Sequence, residues 1–295
     1  MADSEALKTA DKFFELPSLP NGKVLLVKAA GTSSKKAKPT TQAARLGVRV
    51  KKVFISRQWV RDYNAVCGFA EDHISLTAPQ VIAGPLHMYL MSRKEHPFAM
   101  LGMVHLHNDI ELIKPLEFET AYDVVVSIGD TRAIPQGLEF DVLTEYMKDG
   151  EVVWRATMAI LSRVKGMPKP AGKPAPLEAL SAANAQYVPI KVPEDQGRKY
   201  AKVSNDYNPI HLYARTAKLF GFKQAIAHGM WTAAKSLSLI ESSMDKPASR
   251  FKVSFKQPVI LPSRGTLKFV GDKAGTKFEL LAERDSKLLI VGEVA

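Results

Sequence analysis

The chain is poor in cysteine. Cys67 is the only one in 295 residues, which excludes an internal disulfide and any metal site built from several thiolates. Long apolar runs are also missing: no stretch approaches the roughly 20 residues that a bilayer-spanning helix requires. The first twenty residues, MADSEALKTADKFFELPSLP, lack the uninterrupted apolar core of a secretory signal. Together these absences point to a cytoplasmic protein without a membrane span. No recognition helix, zinc-finger spacing or aromatic-rich RNA-binding signature is present, so nucleic acid is not an expected partner.

What the chain has is an ordinary globular composition, 46% hydrophobic and 24% charged, with an excess of base. Its 41 Lys and Arg against 30 Asp and Glu leave a net charge of +11 spread along the whole length. Such a surface attracts anionic partners generally, including phosphate-bearing cofactors such as coenzyme A.

Two stretches read as loops. Residues 31–42, GTSSKKAKPTTQ, are small, polar and basic. Residues 165–177, KGMPKPAGKPAPL, hold four prolines, two glycines and three lysines, and proline fixes φ and removes backbone donors, which suits a spacer. The spacer leaves two parts of about 165 and 120 residues, each large enough for a domain. The expected boundaries are 1–164 for a first unit, 165–184 for the linker and 185–295 for a second unit.

Both parts show one order of elements, a helix with an apolar face followed by several strands. In the second part the helix is Gly229 to Ser243, where Met230, Ala233, Ala234, Leu237 and Ile240 recur at three- and four-residue steps. Strand-like runs follow: FKVSFKQPVI, GTLKFVGD, TKFELLAER and KLLIVGEVA. In the first part PLHMYLMS is the helix, and HLHNDIELI, AYDVVVSI, LEFDVLTEYM and EVVWRATMAILSRV are the strands. The pattern predicts an α+β protein made of a duplicated unit, each copy an antiparallel sheet wrapped around one helix.

Chemistry concentrates between Tyr200 and Met230. Ser204-Asn205-Asp206-Tyr207-Asn208-Pro209 is turn chemistry. A short helix is expected from about His211 to Phe220, stopped by Gly221. Asp206 and His211 flank the Asn-Pro turn and can converge on a shared water, which a carboxylate and an imidazole together can deprotonate and reprotonate. Ala227-His228-Gly229 leads into the long helix, where first-turn N–H groups are free, so Gly229 can donate to a developing oxyanion.

This segment resembles the signature of the type-2, (R)-specific enoyl-CoA hydratases and the wider MaoC-like dehydratases. The matching residues are Tyr200, Ser204, Asp206, Asn208, Pro209, Ile210 and His211, followed by Ala227, His228, Gly229 and Met230. The resemblance implies a double hot-dog fold and reversible hydration of a trans-2-enoyl thioester to an (R)-3-hydroxyacyl thioester. It further implies that Asp206 and His211 hold the water, Asn208 positions them and Gly229 polarises the thioester carbonyl, with Ser204, His228 and Met230 contacting substrate. The substrate is then an acyl-CoA or an acyl-carrier-protein thioester, with no metal and no cofactor beyond the coenzyme A of the substrate itself. Pairing of such chains into a homodimer is compatible with it. One departure is Asn205, where the family has Gly; Asn tolerates left-handed backbone better than most residues. A non-catalytic acyl-thioester-binding protein is the competing class.

Aligned on the same landmarks, Phe69 in the first part stands where Asp206 stands in the second, and Pro85 where Gly229 stands. Proline has no N–H to offer. The first unit is therefore expected to be catalytically silent and to shape the acyl pocket. Met88, Met91, Met100 and Met103 fit an adaptable pocket as well as ordinary core packing. A shifted alignment would instead bring up Asp72 and His73. His105 and His107, two apart, are expected on one polar strand face, and Cys67 as a small buried residue. Ser204 lacks a nucleophile-elbow context. Tyr207 and Trp231 flank the site as packing residues.

Overall fold

The computed structural model describes residues 4–168, 180–181, 183–272 and 275–295. The first unit runs α1 (Glu5–Thr9), β1 (Lys12–Leu16), α2 (Gly22–Ala30), β2 (Leu46–Phe54), α3 (Arg57–Cys67), α4 (Ala78–Ile82), α5 (Gly84–Ser92), β3 (Val104–Leu112), β4 (Ala121–Ile134), β5 (Gly137–Lys148) and β6 (Glu151–Arg163). The second runs β7 (Gln186–Val192), α6 (Gln196–Ser204), a 3-10 turn (Pro209–His211), α7 (Ala214–Lys218), α8 (Gly229–Glu241), β8 (Arg250–Phe255), β9 (Ser263–Asp272), β10 (Gly275–Ala282) and β11 (Leu288–Val294). Most of the expected 165–184 linker, residues 169–179 and 182, lies outside the described residues. The basic stretch 31–42 is turn and loop, as expected.

The strand order is β1-β2-β4-β5-β6-β3-β8-β11-β10-β9-β7. Each unit contributes one antiparallel meander, and the two meanders join edge to edge where β3 pairs antiparallel with β8, from His107↔Ser254 to Glu111↔Arg250. The two expected sheets are thus one continuous eleven-stranded sheet, because each unit leaves one edge strand whose backbone groups the other satisfies. Only β1, at the far edge, runs parallel to its neighbour. Pro189 sits in β7, the opposite edge, where its missing N–H breaks no ladder on the outer side. At the β5–β6 turn, Asp149 and Gly150 both take positive φ (52° and 81°), the two-residue hairpin geometry that Asp-Gly favours and that sets this register.

The helices lie against the sheet as the core. In α8, Ala233, Ala234, Leu237 and Ile240 are completely buried; burial of each large side chain contributes about 1.5–3 kcal/mol. Two α8 side chains bind it to the first unit: the Ser238 hydroxyl donates to Cys67 O and Trp231 Nε1 to Val66 O. Both acceptors are at the C-terminal end of α3, so the two units share one core through α3, α6 and α8. Trp59 of α3 donates in turn to Val203 O of α6, and the rings of Tyr63 and Tyr200 stand 6.2 Å apart between the two helices. Cys67 is buried, as expected, and burial pushes its thiol up to about 12.

Candidate active site

Helix α6 delivers the acid. Its last turn is closed by Asn205, whose φ of 56° is left-handed. Asn tolerates this region, so the turn that glycine makes in the family survives here. Asp206 follows at once. Its N–H donates to Ser204 Oγ, while the Ser204 hydroxyl donates to Tyr200 O. Asn208 N–H donates to Asp206 Oδ1, and Asn208 Oδ1 accepts from Ile210 N–H. Ser204 and Asn208 therefore hold the loop that carries the carboxylate. Ser204, expected against substrate, lines the cavity but spends its hydroxyl on this bracing.

His211 does not open a helix as expected. Pro209 and the Asn208 cap turn the chain through a 3-10 turn that ends at His211, extended Tyr213 interrupts it, and α7 then covers only Ala214–Lys218. The expected stop, Gly221, is in place with φ +85°. This turn lies so close to α6 that a Cβ on Gly197 would fall 1.8 Å from His211 O. Only glycine permits that approach. His211 is 9% exposed, and its Nδ1 lies 2.8 Å from Ile226 O. A carbonyl only accepts, so Nδ1 carries the hydrogen and Nε2 is left as a lone pair.

His228 precedes α8 in extended conformation (φ −62°, ψ 135°). Its Nε2 donates to Asp206 O at 3.0 Å and stands 3.8 Å from Asp206 Oδ2. Its ring stacks on His211 with centroids 3.8 Å apart and faces Tyr200 at 5.0 Å. Expected to bind substrate, His228 contributes a wall of the cavity, but the structure commits its Nε2 to the backbone of the acid loop. Gly229 begins α8 with no side-chain cap, so the first-turn N–H groups face the cavity unpaired among the described residues. Met230 lines the same cavity with its Sδ against Asn108 Nδ2.

The electrostatics set the protonation states. The loss of water around the Asp206 carboxyl on its cavity wall pushes it up, but the two imidazoles and the Asn208 N–H outweigh this and hold the carboxyl below its ordinary value. Burial pushes His211 down against the pull of Asp206 and the Ile226 carbonyl. His228 is driven to about 3, by burial first and then by the neighbouring His211 ring. At neutral pH the site holds one carboxylate and two neutral imidazoles. Donor atoms of Asp206, His211 and His228 lie within 4.8 Å of one another, a number that a metal can use. Two rings stacked this closely, however, aim their in-plane lone pairs side by side rather than at one point.

A cavity of about 550 Å³ opens onto these groups, and both units build it. The second unit supplies Asp206, His211 and the start of α8. The first supplies Met88, Met91, Met100 and Met103, most of them expected as core packing rather than pocket, together with Leu26 of α2. Arg163 and Lys256 add positive charge to the lining. Sequence reasoning missed α2, whose Lys23 places its ammonium 4.8 Å over the Tyr207 ring beside the acid loop. No local signal marks that contact, because its partners are about 180 residues apart in the chain.

In the first unit, α3 ends on Gly68 at φ +92° and Phe69 follows, so Phe69 does occupy the position of the acid. The alignment of Pro85 needs correction. Gly84, not Pro85, is the first residue of α5, and Pro85 is the second. The reason is α4, which runs up to Ala83 in helical conformation where the second unit has extended His228. Tyr146 OH and Trp154 Nε1 pin this segment by donating to Pro79 O and Leu76 O. Of the shifted alternative, Asp72 is ion-paired with Arg57 and Arg61, and His73 Nε2 lies 3.2 Å from Glu241 Oε2. His105 and His107 do not share a face either: the pairing of β3 with β6 slips between them. His105 lines the same cavity as Asp206, and His107 meets Ser254 on the other side of the sheet.

Residues 178–288 match the MaoC like domain. The chain is 33% identical over 253 residues to a 3-hydroxyacyl-thioester dehydratase X from Mycobacterium tuberculosis, covering 84% of this chain and 88% of that protein. It is 32% identical over 91 residues to an (R)-specific enoyl-CoA hydratase from Aeromonas caviae, covering 30% of this chain and 61% of that one. A crystal structure of HtdX from M. tuberculosis superposes with a TM-score of 0.71 at 30% identity, over 84% of this chain and 98% of the other. With the acid loop, the imidazole and the helix start assembled on a fused pair of hot-dog units, the chain belongs to the MaoC-like dehydratase family of lyases.

Proposed function

We propose that the protein interconverts a trans-2-enoyl thioester and the (R)-3-hydroxyacyl thioester, with residues 185–295 supplying the chemistry and residues 1–164 the acyl wall. The observation that carries this is the pairing of an ionised Asp206 with a neutral His211 whose Nε2 is bare. Both are acceptors, so a single water can be gripped through both of its hydrogens, with an oxygen lone pair left for C3.

In the hydration direction, Asp206 takes a proton as the water oxygen bonds to C3. The C2=C3 π electrons move toward the thioester, whose oxygen gains charge against the Gly229 N–H at the positive end of α8. The proton taken by Asp206 is the one C2 receives, which restores the carboxylate. Dehydration is the same path reversed. Asn208 and Ser204 position the loop, and Arg163 and Lys256 suit the phosphates of coenzyme A or of a carrier protein's phosphopantetheine. The retained acid, imidazole and helix start favour catalysis over a binding role.

The test is the loss of enoyl-thioester absorbance with crotonyl-CoA and crotonyl carrier protein, for the wild type and Asp206→Asn. Turnover that disappears in the variant supports the assignment. Turnover that persists in Asp206→Asn refutes it.

A further inference from the structure

The wall that the first unit contributes is not wholly apolar. His87 of α5 lines the cavity two helical turns beyond Gln80 of α4 and beside Met88. His87 is 6% exposed, and its Nε2 lies 2.8 Å from Thr144 Oγ1. Gln80 Nε2 rests on Met158 Sδ, while its Oε1 is unpaired. His105 lines the same cavity and donates Nε2–H to His107 O at 3.0 Å, which leaves Nδ1 as a bare acceptor. A plain alkyl chain offers Gln80 Oε1 and the His105 Nδ1 lone pair no hydrogen-bond partner, and a buried polar group without a partner is destabilising.

We propose that His87 and His105 form a hydroxyl-recognising subsite, so that the cavity takes acyl chains carrying a hydroxyl group beyond the reacting carbons. This rests on the proposed function above, which makes the cavity an acyl pocket. A hydroxyl both donates and accepts, so it can give its hydrogen to His105 Nδ1 and still bond to His87. A keto oxygen only accepts and leaves His105 unmatched. A carboxylate calls for fixed positive charge, whereas burial keeps both rings neutral, His87 at about 3 and His105 at about 4.

The experiment measures kcat/KM of the full chain for trans-2-enoyl thioesters of one chain length, with a hydroxyl at successive distal carbons or with none. Crotonyl thioester serves as the short control. At one hydroxyl position the wild type is expected to favour the hydroxylated chain by at least about tenfold. His87→Leu removes that preference while crotonyl turnover stays within about threefold. His105→Phe does the same from a strand residue whose ring already packs on Phe255, and it decides the matter if His87→Leu fails to fold. An alkyl preference in the wild type, or an unchanged ratio in the variants, overturns the subsite and leaves the hydratase assignment standing. Silence of the wild type on every thioester, crotonyl included, overturns both.

Discussion

The two units place the same backbone device at the same point and load it differently. Helices α3 and α6 each end on a left-handed residue, Gly68 (φ 92°) and Asn205 (φ 56°), with a tyrosine five positions earlier. The next residue is Phe69 in one unit and Asp206 in the other. Phe69 packs on Tyr63 and His73, with ring centroids 6.5 and 5.7 Å apart. Asp206 turns a half-exposed carboxylate toward two imidazoles. Downstream, α4 closes off the start of α5 in the first unit, whereas extended His228 leaves the start of α8 open. A duplicated scaffold can thus keep its turns and present different groups through one side chain and one loop conformation.

The strongest way to break the comparison is to exchange the two residues. Asp206→Asn is expected to lower kcat by roughly 10³-fold, the scale of a lost general base, with an unchanged thermal melt because the group it alters is half-exposed. Adding Phe69→Asp should restore nothing, since the imidazole nearest that position, His73, already has its Nε2 on Glu241 and α4 runs up to the start of α5. Recovered turnover in the double variant, read by enoyl-thioester absorbance, would show that the first unit lacks only its acid.

The approach of the His211 turn to α6 gives the next effect. Gly197→Ala places a Cβ against His211 O, so the turn must move. Overpacking of this kind costs about 1–3 kcal/mol. Displacing an acceptor of the water by even a fraction of an ångström is expected to lower kcat about tenfold to a hundredfold. A melt lowered by several degrees with kcat intact would separate stability from positioning and count against the proposed grip on water.

Much of this arrangement was legible in the chain. Turn chemistry around Asn205–Pro209, the apolar period of Gly229–Ile240 and the alternating strands are local, and each formed where its residues pointed. The misplacements share a different cause. His211 ends a 3-10 turn because Ile226 O, fifteen residues away, takes its Nδ1–H. Pro85 moves one place because Tyr146 and Trp154, more than sixty residues on, hold α4 helical. His105 and His107 part because β3 slips against β6. The roles of Lys23 and His87 depend on contacts between elements remote in sequence. Such pairings are tertiary, and local patterns do not encode them.

Acid should separate stability from activity in both units. His87 and His96 of the first unit are driven by burial to about 3, as is His228 of the second. An unfolded chain protonates these histidines near 6.5 while the folded one does not, so stability is full above that value and falls as pH drops toward 3. Each such histidine costs about 1.4 kcal/mol per pH unit within that window. Asp206 and His211 also lie below their ordinary values, so the water loses an acceptor only at a pH below that of an ordinary imidazole. Thermal melts are expected to fall between pH 7 and 5, while initial rates at 25 °C fall later, with an apparent pKa below 6.5. Rates that fall with an apparent pKa near 6.5 would show His211 titrating as an ordinary exposed imidazole.

The smallest effect tests the backbone device itself. At φ 56°, glycine relieves whatever strain Asn205 retains, and a β-branched residue adds about 1–2 kcal/mol. Asn205→Gly is therefore expected to hold kcat within about threefold, and Asn205→Val to lower both the melt and kcat, because the strained turn carries Asp206 with it. In the first unit Gly68→Val, at φ 92°, should lower the melt by a similar amount and leave kcat untouched, since only Phe69 follows it. Equal losses of kcat from the two valine variants would mean that the turn of the first unit also controls the site. That route exists physically, through Val66 O to Trp231 at the start of α8, and the kcat ratio of the pair measures how much passes along it.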